Sequence, residues 1–108
     1  MNFEQYQKET AKTAIYDPDI AILYTTMGLA SEAGEVAGKV KKVFRDNFGV
    51  FSQKHIDDVA SELGDVLWYV SQLASTFGLN LNDIAQKNID KLQSRNARGA
   101  IAGSGDNR

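Results

Sequence analysis

The sequence predicts an all-α protein of four helices, folded as one domain over residues 1–98 and followed by a tail over residues 99–108. Apolar residues recur at intervals of three and four in four segments, which is the spacing of an amphipathic helix. No segment alternates with the two-residue period of a strand, and the chain has a single Pro. A length of 108 residues also fits one domain.

The first two helices are delimited by a turn that contains this Pro. The segment YDPD, residues 16–19, predicts the end of a first helix that spans about residues 3–14. Asp19 is then expected to cap the second helix. This second helix runs to about the segment RDNFG, residues 45–49, where Asn and Gly favour termination.

The third and fourth helices are delimited by further cap residues. The third helix is expected over about residues 52–77. The fourth begins at Asn80, which forms a capping pair with Asp83, and ends near Arg95. The tail that follows has no helical periodicity.

Three glycines lie inside the predicted second helix, at Gly28, Gly34 and Gly38. Each costs about 1 kcal/mol relative to Ala in a helix interior. Because Gly34 and Gly38 are four residues apart, they share one face of the helix. We therefore expect another backbone or a ligand to come close to that face.

Apolar side chains form one stripe on the second helix and one on the third. The members are Leu29, Val36, Val40 and Val43, and then Ile56, Val59, Leu63, Val66, Val70, Leu73 and Phe77. Residues 66–70, VLWYV, are apolar or aromatic around most of the helix circumference. A helix that is apolar all round is normally buried all round, so this segment predicts self-association.

Two carboxylate pairs lie beside these stripes, Glu32 with Glu35 and Glu62 with Asp65. Residues three apart share a helix face, so all four carboxylates converge if the stripes pack together. Two unit charges ~5 Å apart repel by about 3 kcal/mol at an effective dielectric constant of 20. Such a cluster requires protons or cations, and carboxylate oxygens suit Mg²⁺ or Mn²⁺. The alternative is that both pairs face solvent, as such pairs commonly do.

Composition excludes several other sites. The chain has no Cys, which rules out disulfides, thiolate chemistry and Cys-based zinc sites. A di-iron bundle uses Glu-x-x-His motifs, and His55, the only His, has Asp58 three residues on. We interpret His55 as a surface residue.

Charge and hydropathy limit the partners and the location. The net charge of −2 argues against non-specific binding to long nucleic acid. Residues 1–10 lack the basic and apolar regions of a signal peptide, and no apolar run approaches the ~20 residues of a membrane span. We expect a cytoplasmic protein without a membrane partner.

Three segments resemble, in order, the MazG-like all-α nucleotide pyrophosphohydrolases. They are GLASEAGEVAGKVKK at residues 28–42, ELGDVLWYVSQLA at residues 62–74 and NIDKLQSR at residues 88–95. The family motif is E-E-x-x-E followed, after a spacer, by E-x-x-D. Ser31 stands where the first Glu of this motif would be, so one ligand of the family pattern is missing.

The resemblance implies a Mg²⁺-dependent enzyme, with Mn²⁺ as a substitute, that cleaves nucleoside triphosphates between the α and β phosphates. The expected substrates are deoxynucleoside or non-canonical triphosphates, and the products are a nucleoside monophosphate and pyrophosphate. Metal-activated water is the expected nucleophile. The resemblance also implies a homo-oligomer, either a dimer or a tetramer. The implied metal-binding and catalytic residues are Glu32, Glu35, Glu62 and Asp65.

Phosphate groups also require positive side chains. Lys39 lies on the glutamate face of the second helix, and Asn88, Lys91 and Arg95 share a face of the fourth. With Arg98 these residues form the predicted substrate-binding set, in which we expect Arg95 to be exposed. The resemblance further suggests that the tail folds over the substrate as a lid.

Two other functions remain open. One is a non-catalytic helical oligomerisation or regulatory module, in which the carboxylates are solvated or paired with Lys. The other is a related pyrophosphohydrolase that acts on phosphoribosyl-ATP. Stabilisation by a divalent metal distinguishes an enzyme from a module, and a substrate panel distinguishes the two enzymes.

Overall fold

The computed structural model describes all 108 residues and contains four α-helices and no β-strand, as the sequence predicts. The helices are α1 (Phe3–Ala11), α2 (Ala21–Asn47), α3 (Gln53–Thr76) and α4 (Leu81–Ala97), with a short 3₁₀ turn (Pro18–Ile20) before α2. None of these helices combines the length and the apolar character that crossing a membrane requires.

The junction between α1 and α2 differs from the prediction. The side chain of Asp17 accepts a hydrogen bond from the backbone N–H of Asp19 at 2.9 Å and begins the 3₁₀ turn. The predicted cap at Asp19 is therefore wrong, and α2 begins at Ala21 without a side-chain cap. The reason is Pro18, whose fixed φ suits the first position of a helical turn and makes the preceding residue the cap.

A tight connection joins α2 to α3. Phe48 and Gly49 have φ values of 56° and 73°, and the N–H of Gly49 donates to the carbonyl of Val43 at 3.2 Å. The side chain of Ser52 then accepts from the N–H of His55 at 3.2 Å, while His55 Nδ1 accepts from the N–H of Ser52 at 3.0 Å. The His55 ring thus completes a capping box, a structural role close to the helix surface.

The most extensive packing in the chain joins α2 and α3. Gly28, early in α2, lies against Tyr69, late in α3, and residues 48–52 join the end of α2 to the start of α3, so the two helices are antiparallel. A Cβ atom at Gly28 would overlap the Tyr69 ring, whereas one at Gly34 or Gly38 would meet nothing within 4 Å. The close approach expected at Gly34 and Gly38 is absent within the chain, and Gly28 is the glycine that packing requires.

A buried polar seam joins α1 to α3. The hydroxyl groups of Thr10 and Ser71 are 2.7 Å apart, and Gln72 Nε2 donates to the Thr10 hydroxyl at 2.9 Å. All three side chains are buried. The hydroxyl of Tyr16 extends the seam by donating to Gln72 Oε1 at 3.0 Å. Because these hydrogen bonds form only when the side chains are arranged in one way, the seam fixes the position of α1 and of the loop that follows it.

The last helix packs mainly on α1. Its cap is the predicted one, since Asn80 Oδ1 accepts from the N–H of Asp83 at 3.2 Å. Leu81 is buried, and its N–H donates to Gln7 Oε1 at 2.9 Å. The tail then turns back and lies against the C-terminal end of α4.

A single copy of the chain does not enclose a full hydrophobic core. Only 8 of 108 residues are buried, and the apolar ones are Val43, Ala74 and Leu81. The radius of gyration is 16.7 Å, whereas a compact domain of ~100 residues has about 13 Å. Leu23 and Met27 on α2 keep 61% and 58% of their surface exposed. Residues 66–70, expected to be buried by self-association, are half-buried in one chain.

Candidate active site

Three carboxylates meet where α2 and α3 cross. One oxygen atom from each of Glu32, Glu62 and Asp65 lies within 4.8 Å of the others. The antiparallel pairing places Glu32 opposite the α3 pair, whose members are three residues apart and share a face. We call these three residues the acidic group. Glu35, predicted as a fourth member, is exposed and lies outside it.

The acidic group has no positive partner. None of the five ion pairs in the chain includes one of its members. Burial, hydrogen bonding with Glu62 and the negative charges of Asp65, Glu62 and Glu35 raise the pKa of Glu32. Burial, helped by the charge of Asp65, also raises the pKa of Tyr6. Burial, together with the negative charge of the neighbouring carboxylates, therefore disfavours ionisation of Glu32 and Tyr6.

The donor chemistry of the acidic group fits a hard divalent cation. All three ligands are carboxylates, which suit Mg²⁺ and Mn²⁺. A cation would also relieve the repulsion that raises the pKa of Glu32. Protein sites for Mg²⁺ commonly use few carboxylates and leave positions for water and substrate phosphates, so three ligands are sufficient.

A cavity of about 330 Å³ opens beside the acidic group. It is lined by Thr13, Glu32, Asp65, Trp68 and Tyr69. Carboxylates form one part of this lining and aromatic rings another. The cavity can therefore hold a ligand with both a cation-bound polar part and a flat apolar part.

The aromatic lining belongs to a larger ring cluster. Trp68 and Tyr69 meet edge to face at 5.0 Å between ring centroids, and Tyr69 lies 6.0 Å from Tyr24. Tyr16 stacks on Tyr24 at 4.8 Å. Hydrogen bonding with Tyr24, together with burial and nearby negative charge, raises the pKa of Tyr69 to about 12. Tyr69 is thus a neutral phenol at physiological pH.

Thr13 and Tyr16 were missed by sequence reasoning. Both belong to the segment between α1 and the 3₁₀ turn, 19 and 16 residues before Glu32 in the chain. No motif or periodicity connects them with the acidic pairs. Only the polar seam between α1 and α3 brings Thr13 to the cavity and Tyr16 against Trp68, one of the rings that line it.

The predicted substrate-binding residues lie in different environments. Lys39 is half-buried on α2, while Asn88 and Arg98 are exposed. A hydrogen bond from Lys54 chiefly lowers the pKa of Asp58, with a smaller contribution from the charge of Lys39. The positive charge of Lys39 therefore acts on Asp58 of α3.

Arg95 is buried, with 3% of its surface exposed, so the expectation that it faces solvent is wrong. Its Nη2 donates to the carbonyl and the carboxylate of Asp106 at 2.8 and 3.2 Å, and Lys91 Nζ lies 3.1 Å from the same carboxylate. Hydrogen bonds from Lys91 and Arg95 lower the pKa of Asp106. The tail covers Arg95 and is stabilised by Arg108, whose Nε donates to the carbonyl of Ala100 at 3.0 Å.

The chain is thus an all-helical protein in which three carboxylates that could hold a metal ion meet beside an aromatic cavity. Residues 22–99 match the family model of the MazG nucleotide pyrophosphohydrolase domain. The chain belongs to this family, as its motifs predict. The Gene 37 protein of Mycobacterium phage L5 is 50% identical over 114 aligned positions that cover the whole of both chains. No solved structure gives a significant match.

Family membership supports a hydrolase, and the acidic group agrees with the metal dependence typical of the family. The acidic group, the rest of α3 and all of α4 lie within the matched range. Residues 1–21 lie outside it, although Thr13 lines the cavity.

Proposed function

We propose that the protein hydrolyses nucleoside triphosphates between the α and β phosphates and releases a nucleoside monophosphate and pyrophosphate. Deoxynucleoside and non-canonical triphosphates are the proposed substrates. The observation that carries this proposal is the convergence of Glu32, Glu62 and Asp65 beside an aromatic cavity. These carboxylates lie in the range that matches the pyrophosphohydrolase model.

In this proposal the acidic group holds Mg²⁺, for which Mn²⁺ can substitute. Glu35 is retained as a fourth ligand, because its charge already contributes to the raised pKa of Glu32. The bound metal would supply the activation of water and the neutralisation of phosphate charge. In the proposed complex the carboxylates would hold the metal to which the triphosphate end binds, and Trp68 and Tyr69 provide a surface for the base.

The proposed phosphate contacts are Lys39, Asn88, Lys91, Arg95 and Arg98. For two of them, Lys91 and Arg95, contact with phosphate requires that Asp106 give up its ion pairs. Its carboxylate is 82% exposed, and an ion pair with one solvated partner is weak. A phosphate oxygen offers the same charge and the same hydrogen-bonding capacity, so exchange is feasible. This exchange would link substrate binding to movement of the tail, the proposed lid.

We further propose that the active form is a homo-oligomer. The incomplete core and the exposed apolar side chains of α2 support this, because a stable single domain of this size normally buries more. Leu23→Glu adds a charge to the exposed patch and is expected to dissociate the assembly. Sedimentation velocity at micromolar concentration measures the outcome, and a compact monomer of the unaltered protein would contradict the proposal.

The test of the activity is pyrophosphate release from a panel of canonical and modified triphosphates, and from phosphoribosyl-ATP, with Mg²⁺ and with EDTA. We expect release that requires the metal, together with a higher melting temperature when Mg²⁺ is added. A non-catalytic module predicts neither result. The absence of both results would refute the proposal. Pyrophosphate release from phosphoribosyl-ATP alone would make that compound the substrate.

A further inference from the structure

Trp68 is tied to the N-terminal segment by one hydrogen bond. Its indole Nε1 donates to the hydroxyl of Thr13 at 2.8 Å, across 55 residues of sequence. The same hydroxyl donates to the backbone carbonyl of Thr10 at 3.1 Å. Since the single hydroxyl proton of Thr13 is engaged by the helix, its oxygen presents a lone pair to the indole in a fixed direction.

A second contact holds the indole from the same segment. The Tyr16 ring meets Trp68 edge to face, with centroids 6.2 Å apart and an interplanar angle of 83°. The hydroxyl of Tyr16 is in turn held by Gln72, which is buried in the polar seam. Trp68 is therefore positioned by two residues that the family match does not include.

The position of Trp68 matters because it lines the cavity together with Glu32 and Asp65. Trp68 follows Asp65 by three residues, so both project from one face of α3. An aromatic ring at this place offers a flat surface for a nucleobase, and base stacking on aromatic side chains is a general mode of nucleotide binding. Stacking requires that the ring plane be held, because a freely rotating side chain loses entropy when the base binds.

We infer that Thr13 is a positioning residue that fixes Trp68 as the stacking surface for the nucleobase. This inference rests on the proposed function and extends it to a segment outside the family match. Thr13 acts through the indole rather than on the phosphates, so it affects substrate binding more than the chemical step.

The chain has one Trp, so intrinsic fluorescence reports on this residue alone. Thr13→Val keeps the side-chain shape and removes the hydroxyl. Thr13→Ser retains the hydroxyl and removes only the methyl group. We expect Thr13→Val to shift the Trp68 emission and to weaken its quenching by a nucleoside monophosphate. We also expect KM to increase by about three- to tenfold, which corresponds to the loss of one hydrogen bond, with kcat changed by less than about twofold.

Thr76→Val is the matched control. The Thr76 hydroxyl donates to the backbone carbonyl of Gln72 at 2.9 Å, a bond of the same type as that of Thr13 to Thr10, and Thr76 does not line this cavity. We expect this variant to retain the emission, the quenching and the KM of the unaltered protein. If Thr13→Val does not fold, Thr13→Ala is measured in its place.

Normal quenching and normal KM in Thr13→Val would overturn the inference while leaving the proposed function intact. Equal impairment of Thr13→Ser and Thr13→Val would also overturn it, because the hydroxyl would then have no special role. Failure of the proposed function looks different: the unaltered protein would release no pyrophosphate and show no nucleotide quenching, and both proposals would fall together.

Discussion

The acidic group on α2 and α3 and the basic residues near the end of α4 both gather like charges, but only the basic residues find a counter-charge in the chain. Lys91 and Arg95 share the carboxylate of Asp106. The three acidic residues have no positive partner within ion-pair distance, and the pKa of Glu32 is raised. The fold therefore supplies a counter-charge to the basic residues and none to the acidic group.

This difference distinguishes a cluster whose charges stabilise the fold from one whose charges do not. A buried guanidinium without an anion would be costly, so the tail that supplies Asp106 stabilises the end of α4 while no ligand is bound. An acidic group without a cation lowers the stability of the fold at neutral pH. In the proposed function, a cation from solution compensates this cost.

The largest expected effect tests the acidic group. Glu62→Gln keeps the size of the side chain and removes a ligand charge, so we expect pyrophosphate release to fall by about a hundredfold or more. Glu35→Gln is measured in parallel, because Glu35 lies outside the group. An equal loss in Glu35→Gln favours four ligands, and a loss below about tenfold favours three. Near-normal turnover in both variants would refute a metal site here.

The next effect tests the basic cluster. Arg95→Ala removes the side chain around which the tail is arranged, so we expect the tail to be cut more rapidly in limited proteolysis. If Arg95 also contacts phosphate, kcat/KM falls by roughly ten- to a hundredfold, the cost of one or two charge-assisted contacts. Lys87→Ala, at an exposed position of α4 that makes no contact with the tail, is the control for proteolysis. An unchanged cleavage rate in Arg95→Ala would show that the tail is held by other contacts.

A smaller effect is expected from Asp106→Asn, which keeps the shape of the side chain and removes its charge. If Asp106 competes with phosphate, the variant lowers KM for the triphosphate by about two- to fivefold, since an ion pair with one solvated partner is worth up to ~1 kcal/mol. Asp90→Asn changes another exposed carboxylate on α4, one bonded to Gln86, and is expected to leave KM unchanged. A higher KM in Asp106→Asn would instead mean that Asp106 holds Lys91 and Arg95 in a productive arrangement.

The smallest effect concerns stability without metal. Because folding raises the pKa of Glu32 above its ordinary value of 4.5, ionised Glu32 costs free energy of folding above the folded-state pKa. This cost disappears as the pH falls through that value. Glu32→Gln is therefore expected to raise the melting temperature by a few degrees at about pH 8 and to leave it unchanged near pH 4.

Differential scanning calorimetry with EDTA measures this effect. The same experiment with Mg²⁺ is expected to stabilise the unaltered protein and not the variant. A lower melting temperature for Glu32→Gln at both pH values would show that Glu32 contributes to packing, and the charge comparison would fail.

The sequence by itself was sufficient for the helices, their approximate ends and the two carboxylate pairs. These features are local: helix periodicity, cap residues and three-residue spacing operate within one or two turns. The all-α class and the cap at Asn80 were predicted correctly for this reason. The error at Asp19 was also local, because the helical turn begins at Pro18 and Asp17 therefore becomes the cap.

Only the tertiary structure decided which side chains meet. Helix periodicity defines a face but does not say which faces pack together or at what register. The separation of Glu35 from the acidic group, the burial of Arg95 under the tail and the contact between Thr13 and Trp68 all depend on how the chain folds back. The Thr13–Trp68 contact spans 55 residues. It exists because the buried polar seam of Thr10, Ser71 and Gln72 holds α1 at one position on α3.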